Sequence, residues 1–250
     1  MKKRALGQRD ASLGNVTRSV SAPTALITGA SRGIGREVAR TLVSEGWHVL
    51  SGVRDATSAP PGTHPEVVDM EDPESIEALA KRLRGRNQPL DALVNNAGIY
   101  RGPARQIWAV NVLGPLLLTR ALEPLLAPNA RVVMVTSGLG ELSAQAASLV
   151  KRLSNPKLSL AELERLAEEA PGGYGASKAA LTAMARLFAK VLRPRGILVN
   201  AISPGWVRTD MGGPSAPRSV EQGAASVLWG VRLSPSGPTG GVFEDGKAIA

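Results

Sequence analysis

The chain has 250 residues, 43% hydrophobic and 20% charged, with a formal net charge of +9. That length suits one large α/β domain with a single core, and no apolar run approaches the length a bilayer span needs. The chain has no cysteine, which excludes disulfides, thiolate metal sites and thiol nucleophiles together. Its two histidines, His48 and His64, stand far apart in sequence without ligand spacing, so no metal site is expected.

The positive balance invites a nucleic-acid reading. Residues 1–22 alone carry Lys2, Lys3, Arg4, Arg9 and Arg18 against Asp10, a net +4 of the +9. They lack a periodic apolar pattern and hold Gly7, Ser12, Gly14, Asn15, Ser19 and Ser21. They read as a disordered, solvated basic extension without a signal-peptide core. No nucleic-acid or membrane partner is expected, and the expected location is cytoplasmic.

From Pro23 onward, short apolar runs alternate with helical patterns, the signature of βαβ units and a doubly wound parallel sheet. Thr24–Thr28 is the first buried strand. The helix after Gly33 places Ile34, Val38, Leu42 and Val43 on its apolar face and stops at Gly46. Strands follow at 47–53 and 66–69. A helix from about residue 73 carries Ile76, Leu79, Ala80 and Leu83, and a fourth strand at 92–95 ends in Asn95-Asn96-Ala97-Gly98. A long helix over about 107–126 leads into a strand at 131–136. A helix at 174–193 and strands at 197–202 and 241–244 complete the pattern over residues 23–250.

One stretch breaks the alternation. The 36 residues between Ser137 and Tyr174 read as a helical hairpin inserted over about 140–172 and broken near Asn155-Pro156. Ser159 and Glu162 have capping-box spacing, so each side chain can satisfy the other's backbone N–H. Leu160, Leu163 and Ala167 then form an apolar stripe that needs cover.

The run Thr28-Gly29-Ala30-Ser31-Arg32-Gly33-Ile34-Gly35 lies between a strand and a helix, the setting of a nucleotide loop. Gly29 permits the tight turn, Gly33 a close backbone approach to pyrophosphate, and Gly35 close helix–strand packing. The helix N-terminus adds N–H donors and a positive dipole. Downstream, Tyr174 and Lys178 stand one helical turn apart, in a chain with only two tyrosines.

The spacing Thr-Gly-x-x-x-Gly-x-Gly, with Asn95-Asn96-Ala97-Gly98, Asn111, Ser137, Tyr174-x-x-x-Lys178 and Pro204-Gly205, resembles the short-chain dehydrogenase/reductase family from Pro23 to the C-terminus. The insertion and the run Pro204-Gly205-Trp206-Val207-Arg208-Thr209-Asp210-Met211 look like its monomeric carbonyl reductases. The resemblance implies a Rossmann-type fold and hydride exchange between NADP(H) and a carbonyl or alcohol substrate. Tyr174 would be the general acid, Lys178 would hold the nicotinamide ribose, Ser137 would bind the substrate oxygen, and Asn111 would anchor a water. The resemblance places Gly29, Ser31, Arg32, Gly33, Ile34, Gly35, Arg54, Asp69, Asn95, Ala97, Pro204, Val207 and Thr209, besides Tyr174 and Lys178, on the cofactor.

Physical chemistry supports this mapping. Bringing a phenol to neutral-pH proton transfer takes roughly two units of lowering, about 3 kcal/mol. An ammonium about 4 Å away contributes on the order of 4 kcal/mol at an effective dielectric of 20. NAD-selective chains place an acid at the end of the second strand. Here Val53 is apolar, and Arg54 and Arg32 can face a 2′-phosphate, which points to NADP(H); Asp55, one position late, is the counter-signal. A non-catalytic NADP(H)-binding regulator would need the glycine loop but not the complete Ser–Tyr–Lys set. Tyr100, Trp108, Leu139, Trp206 and Met211 are candidate pocket liners, although the segment from Gly98 to Asn111 is shorter than the family pattern. The insertion would cover the helices through which relatives pair, so a monomer is expected.

Overall fold

The computed structural model describes residues 22–249, so the basic extension read over residues 1–22 lies outside it apart from Ala22. Eight strands form one sheet in the order β3-β2-β1-β4-β5-β6-β7-β8. They are β1 (Thr24–Thr28), β2 (His48–Val53), β3 (His64–Val67), β4 (Leu90–Asn95), β5 (Leu126–Val135), β6 (Leu198–Ile202), β7 (Val242–Glu244) and β8 (Lys247–Ala248). All neighbouring pairs are parallel except β7 with β8. The central strands are apolar on both faces because helices cover both. On one face, α1 (Gly33–Ser44) and α8 (Val220–Val231) bury Val38, Leu42, Val227 and Leu228. On the other, α2 (Pro73–Arg86), α4 (Gly114–Leu122) and α7 (Tyr174–Leu192) bury Leu79, Leu118 and Phe188. Strand order reverses between β1 and β4, which opens a crevice beyond their carboxyl ends.

The structure differs from the sequence reading in several places. The third strand begins at His64 rather than 66, because His64 already aligns with Leu50 of β2. That register stacks His48 and His64, with ring centroids 4.2 Å apart, although they are remote in sequence. The helix α8 escaped the sequence reading. Its signals were Ser219 and Gln222, a complete capping box, followed by Ala224, Val227, Leu228 and Val231 at helical spacing.

The long helix expected over 107–126 is broken. It comprises α3 (Ala104–Trp108), a π-helical turn (Ala109–Leu113) and α4. The cause is Pro115, which brings no N–H for the Asn111 carbonyl four residues before it. The Gly114 N–H reaches back five residues to Ala109 instead. Such π turns recur at functional positions, and this one contains Asn111.

The insertion folds as α5 (Ala147–Leu153) and α6 (Leu160–Glu169). The Ser159 side chain accepts from the Glu162 N–H. The Glu162 carboxylate turns away from the reciprocal bond toward Arg152 and Arg165, joining the two helices. Leu163, Leu166 and Ala167 are buried, and Leu160 packs partly buried beside them. Burying a leucine contributes about 1.5–3 kcal/mol, so this stripe anchors the insertion onto the subunit's own core. Arg120 of α4 adds an ion pair to Glu164 at 3.0 Å.

Candidate active site

The glycine turn closes between β1 and α1. Gly29 and Gly33 take φ of +68° and +54°, values that favour glycine. A Cβ on Gly29 would stand 2.9 Å from the Ala97 Cα, and one on Gly35 would collide with the Gly29 carbonyl and the Asn96 amide. Asn96, quoted in the motif but given no role of its own, holds the turn. Its Nδ2 donates to the Thr28 and Gly29 carbonyls, and its backbone N–H donates to Thr28 Oγ1. Arg32, at the N-cap of α1, offers no side-chain acceptor to the first helical turn. Its N–H donors therefore remain for an anion, the arrangement a pyrophosphate needs. Ser31 and Ile34 lie in the same turn, half-buried.

At the adenosine end, Arg32 and Arg54 are exposed. The Asp55 Oδ1 serves as a cap, accepting from the Thr57 N–H at 2.9 Å and its hydroxyl at 2.8 Å. Those bonds hold its pKa below the usual carboxylate range. One oxygen of the counter-signal acid, Oδ1, is thus committed to the turn at 56–58. Asp69 is half-buried, with one oxygen accepting from the Glu71 N–H. Ala97 touches the turn itself. Asn95 does not present its side chain there: it is buried against Thr119 Oγ1 and Met134 Sδ. The period-two alternation of β4 points it into the core.

Tyr174 opens α7, and Lys178 follows one turn later on the same face. Lys178 is buried, and its Nζ donates to the Val135 carbonyl at 2.8 Å. Burial lowers its pKa to about 8. The Nζ lies 5.6 Å from the Tyr174 ring centroid. The expected lowering of the Tyr174 phenol is not found. Burial raises its pKa, hydrogen bonding to Ser137 opposes that only in part, and neighbouring Tyr100 adds to the rise. The ammonium is turned to Val135, so desolvation dominates. Ser137, just beyond β5, accepts from the Leu139 N–H at 3.3 Å and leaves its own hydroxyl proton for another acceptor.

Asn111 reaches the site through the π turn. Its Oδ1 accepts from the Ile99 N–H at 2.9 Å, while its Nδ2 donates to the Ile99 carbonyl and to Ser177 Oγ, each at 3.0 Å. Ser177 Oγ in turn donates to the Tyr174 carbonyl at 2.7 Å. Ser177 is a support the sequence reading missed; its place one residue before Lys178 was the available signal. Trp108 is fully buried and not a pocket liner. Its indole N–H donates to the Gly172 carbonyl at 2.9 Å, which fixes the approach to Tyr174.

Tyr100, by contrast, packs edge-on against Tyr174 with centroids 5.0 Å apart. Leu139, Trp206 and Met211 are exposed on loops at the carboxyl ends of β5 and β6. Pro204 and Val207 are buried, and Thr209 meets Gly33, whose added Cβ would lie 3.2 Å from Thr209 Cγ2. The strand-to-loop segment after β6 therefore closes against the glycine turn.

This geometry is that of a nucleotide-dependent oxidoreductase, and comparison with known proteins agrees. A family model described as short chain dehydrogenase matches residues 23–149, and one described as enoyl-(acyl carrier protein) reductase matches residues 157–229. The chain belongs to the short-chain dehydrogenase family. Carbonyl reductase (NADPH) 1 of Sus scrofa is 32% identical over 271 residues, covering 90% of this chain and 93% of that protein. Salutaridine reductase from Papaver somniferum superposes with a TM-score of 0.76 at 25% identity, covering 89% of this chain and 99% of that one. The NADPH-bound carbonyl reductase from chicken fatty liver gives 0.73 at 26% identity, covering 92% and 94%.

Proposed function

We propose that this protein is an NADP(H)-dependent oxidoreductase that interconverts a carbonyl compound and its alcohol. The observation that carries this reading is Tyr174 beside Ser137, with buried Lys178 one turn along and its Nζ 5.6 Å from the Tyr174 ring centroid. When bound, NADPH supplies the hydride. The chain's own residues do the rest. Tyr174 donates its phenolic proton to the carbonyl oxygen. Ser137 donates a hydrogen bond to the same oxygen as charge develops. Lys178 holds the ribose hydroxyls, and Asn111 anchors the water that returns the proton.

The uncapped α1 N-terminus and the tight glycine turn fit the pyrophosphate, with Gly29, Ser31, Gly33, Ile34 and Gly35 forming its cradle. Arg32 and Arg54 take the 2′-phosphate, Asp69 and Ala97 border the adenosine, and Pro204, Val207 and Thr209 border the nicotinamide. Leu139, Trp206 and Met211 line the substrate side. Absorbance loss from NADPH over a panel of carbonyl compounds tests the reading; no turnover of any of them would defeat it. Each charge-assisted contact to the 2′-phosphate contributes about 1.5–3 kcal/mol, so NADPH should exceed NADH at least about tenfold in kcat/KM. Equal use would show that the arginines face solvent.

Residues 23–250 act as one catalytic unit, in the cytoplasm and as a monomer. Supporting the monomer, α6 lies on α3, the π turn and α7. The helices expected to pair between subunits are those read at 107–126 and 174–193, so α6 covers the start of the first and part of the second. Light scattering at two protein concentrations decides it, since a dimer or tetramer mass at both would refute the cover. Among the described residues no helix is long and apolar enough to cross a membrane.

A further inference from the structure

We propose that Arg218 is a positioning residue for this reaction, fixing the 204–213 segment through its ion pair with Asp245 in the β7–β8 turn. The inference rests on the placement of that segment beside the cofactor and substrate.

The segment has little regular structure. Bonds within it, such as Trp206 Nε1 to the Gly212 carbonyl and the Gly213 N–H to the Thr209 carbonyl, shape its tip, while its root is held from elsewhere. Gly205 takes φ of +73°, and a Cβ there would lie 2.5 Å from the Arg218 Cδ, so the arginine stem fills the space beneath the turn. The main chain of Arg218 then grips the segment from both sides. Its N–H donates to the Trp206 carbonyl at 3.2 Å, and its carbonyl accepts from the Arg208 N–H at 2.9 Å. Val207 and Arg218 thereby form a short parallel bridge outside the main sheet.

The guanidinium faces the other way. Nη1 and Nη2 donate to the two Asp245 carboxylate oxygens at 2.8 and 2.6 Å, a bidentate fork. Nη2 also donates to the Gln222 carbonyl at 3.2 Å, and Glu244 lies 3.8 Å away. Glu244 in turn accepts from Ser203 Oγ at 2.7 Å, and the same Oγ accepts from the Gly205 N–H at 3.2 Å. The two acids at the end of β7 thus hold the Pro204-Gly205 turn from both flanks. Ser226 closes the circuit, donating to the Ser203 carbonyl and accepting from the Asp245 N–H. Without the fork, the segment would keep its contact with Gly33 and the Asp210 ion pair to Arg32 at 3.1 Å but lose its fixed root.

Asp245→Asn removes one charge at a residue outside those assigned to the cofactor and substrate. Asparagine is well suited to the φ of +50° found there, so the backbone is undisturbed. Arg218→Met keeps a stem under Gly205, and Arg218→Lys keeps the charge but not the fork. In the full chain, amide hydrogen exchange is compared over residues 205–213 and over β1, β4 and β5. KM and kcat are measured with NADPH and benzaldehyde as probe. Asp245→Asn should speed exchange over 205–213 about tenfold with the strands unchanged, and raise KM proportionally more than it lowers kcat. Arg218→Met should do more, and Arg218→Lys should recover part of the KM. Wild-type exchange over 205–213 in folded Asp245→Asn would overturn the proposal, as would faster exchange with an unchanged KM. A wild-type protein inert toward every carbonyl would count instead against the proposed function, and the exchange comparison would still decide the role of Arg218.

Discussion

The glycine turn and the proposed substrate mouth occupy the same end of the sheet, yet they are built in opposite ways. The turn is held by backbone contacts and by Asn96, with no room for a single added carbon at Gly35. At the mouth, Tyr100, Leu139, Trp206 and Met211 remain 43%, 58%, 57% and 45% exposed. The difference teaches that the nucleotide site is fixed in advance, because its ligand never changes and its geometry can be built into the backbone. The mouth consists of side chains on loops, which exchange without disturbing the core.

Substitutions can break this contrast in order of expected severity. Tyr174→Phe keeps the ring but removes the acid, so turnover should fall by roughly 10²–10⁴ while NADPH still binds. Retention of more than about a tenth of the rate would remove Tyr174 from the mechanism. Gly35→Ala drives a methyl into the turn. It should cost about 1–3 kcal/mol in stability and weaken NADPH binding, seen in the melting temperature and in nucleotide fluorescence. An unaltered melt would mean the turn is not rigid.

Lys178 offers a pH test. Its folded pKa of about 8 lies below the ordinary 10.5, so the folded state releases its proton first as pH rises. Between those values the unfolded chain holds more protons, and apoprotein stability should rise with pH. Below about pH 8 the burial penalty is fully present, on the order of 3 kcal/mol. Lys178→Met should relieve it, raising the apoprotein melting temperature at neutral pH while weakening NADPH binding. A lowered melting temperature would show that the bond to Val135 outweighs the desolvation. At the mouth the effects should be smallest. Leu139→Ala should shift KM for carbonyl substrates by a few-fold and change stability by no more than about 0.5 kcal/mol. A marked loss of stability would mean that the mouth is core after all.

Much of the fold was legible in the chain because periodicity reports burial directly. The first strand, the helix after Gly33 and the hairpin of the insertion all stand where their apolar spacing puts them. The missed helix α8 had its signal in Ser219 and Gln222. The break at Asn111 was present as Pro115 but overshadowed by the continuous apolar pattern around it.

What the sequence by itself determined is the chemistry of local spacing. It set a glycine turn between strand and helix, a tyrosine and lysine on one helical face, and an apolar Val53 in place of an acid at the end of β2. The tertiary structure decided which way each side chain faces and what it costs to be there. It turned Asn95 and Trp108 inward, occupied Asp55 with its own cap, and brought His48 onto His64. It also raised the Tyr174 pKa where the sequence suggested lowering. The physical reason is that spacing fixes neighbours along a turn or strand, whereas burial and charge depend on atoms brought together from distant parts of the chain.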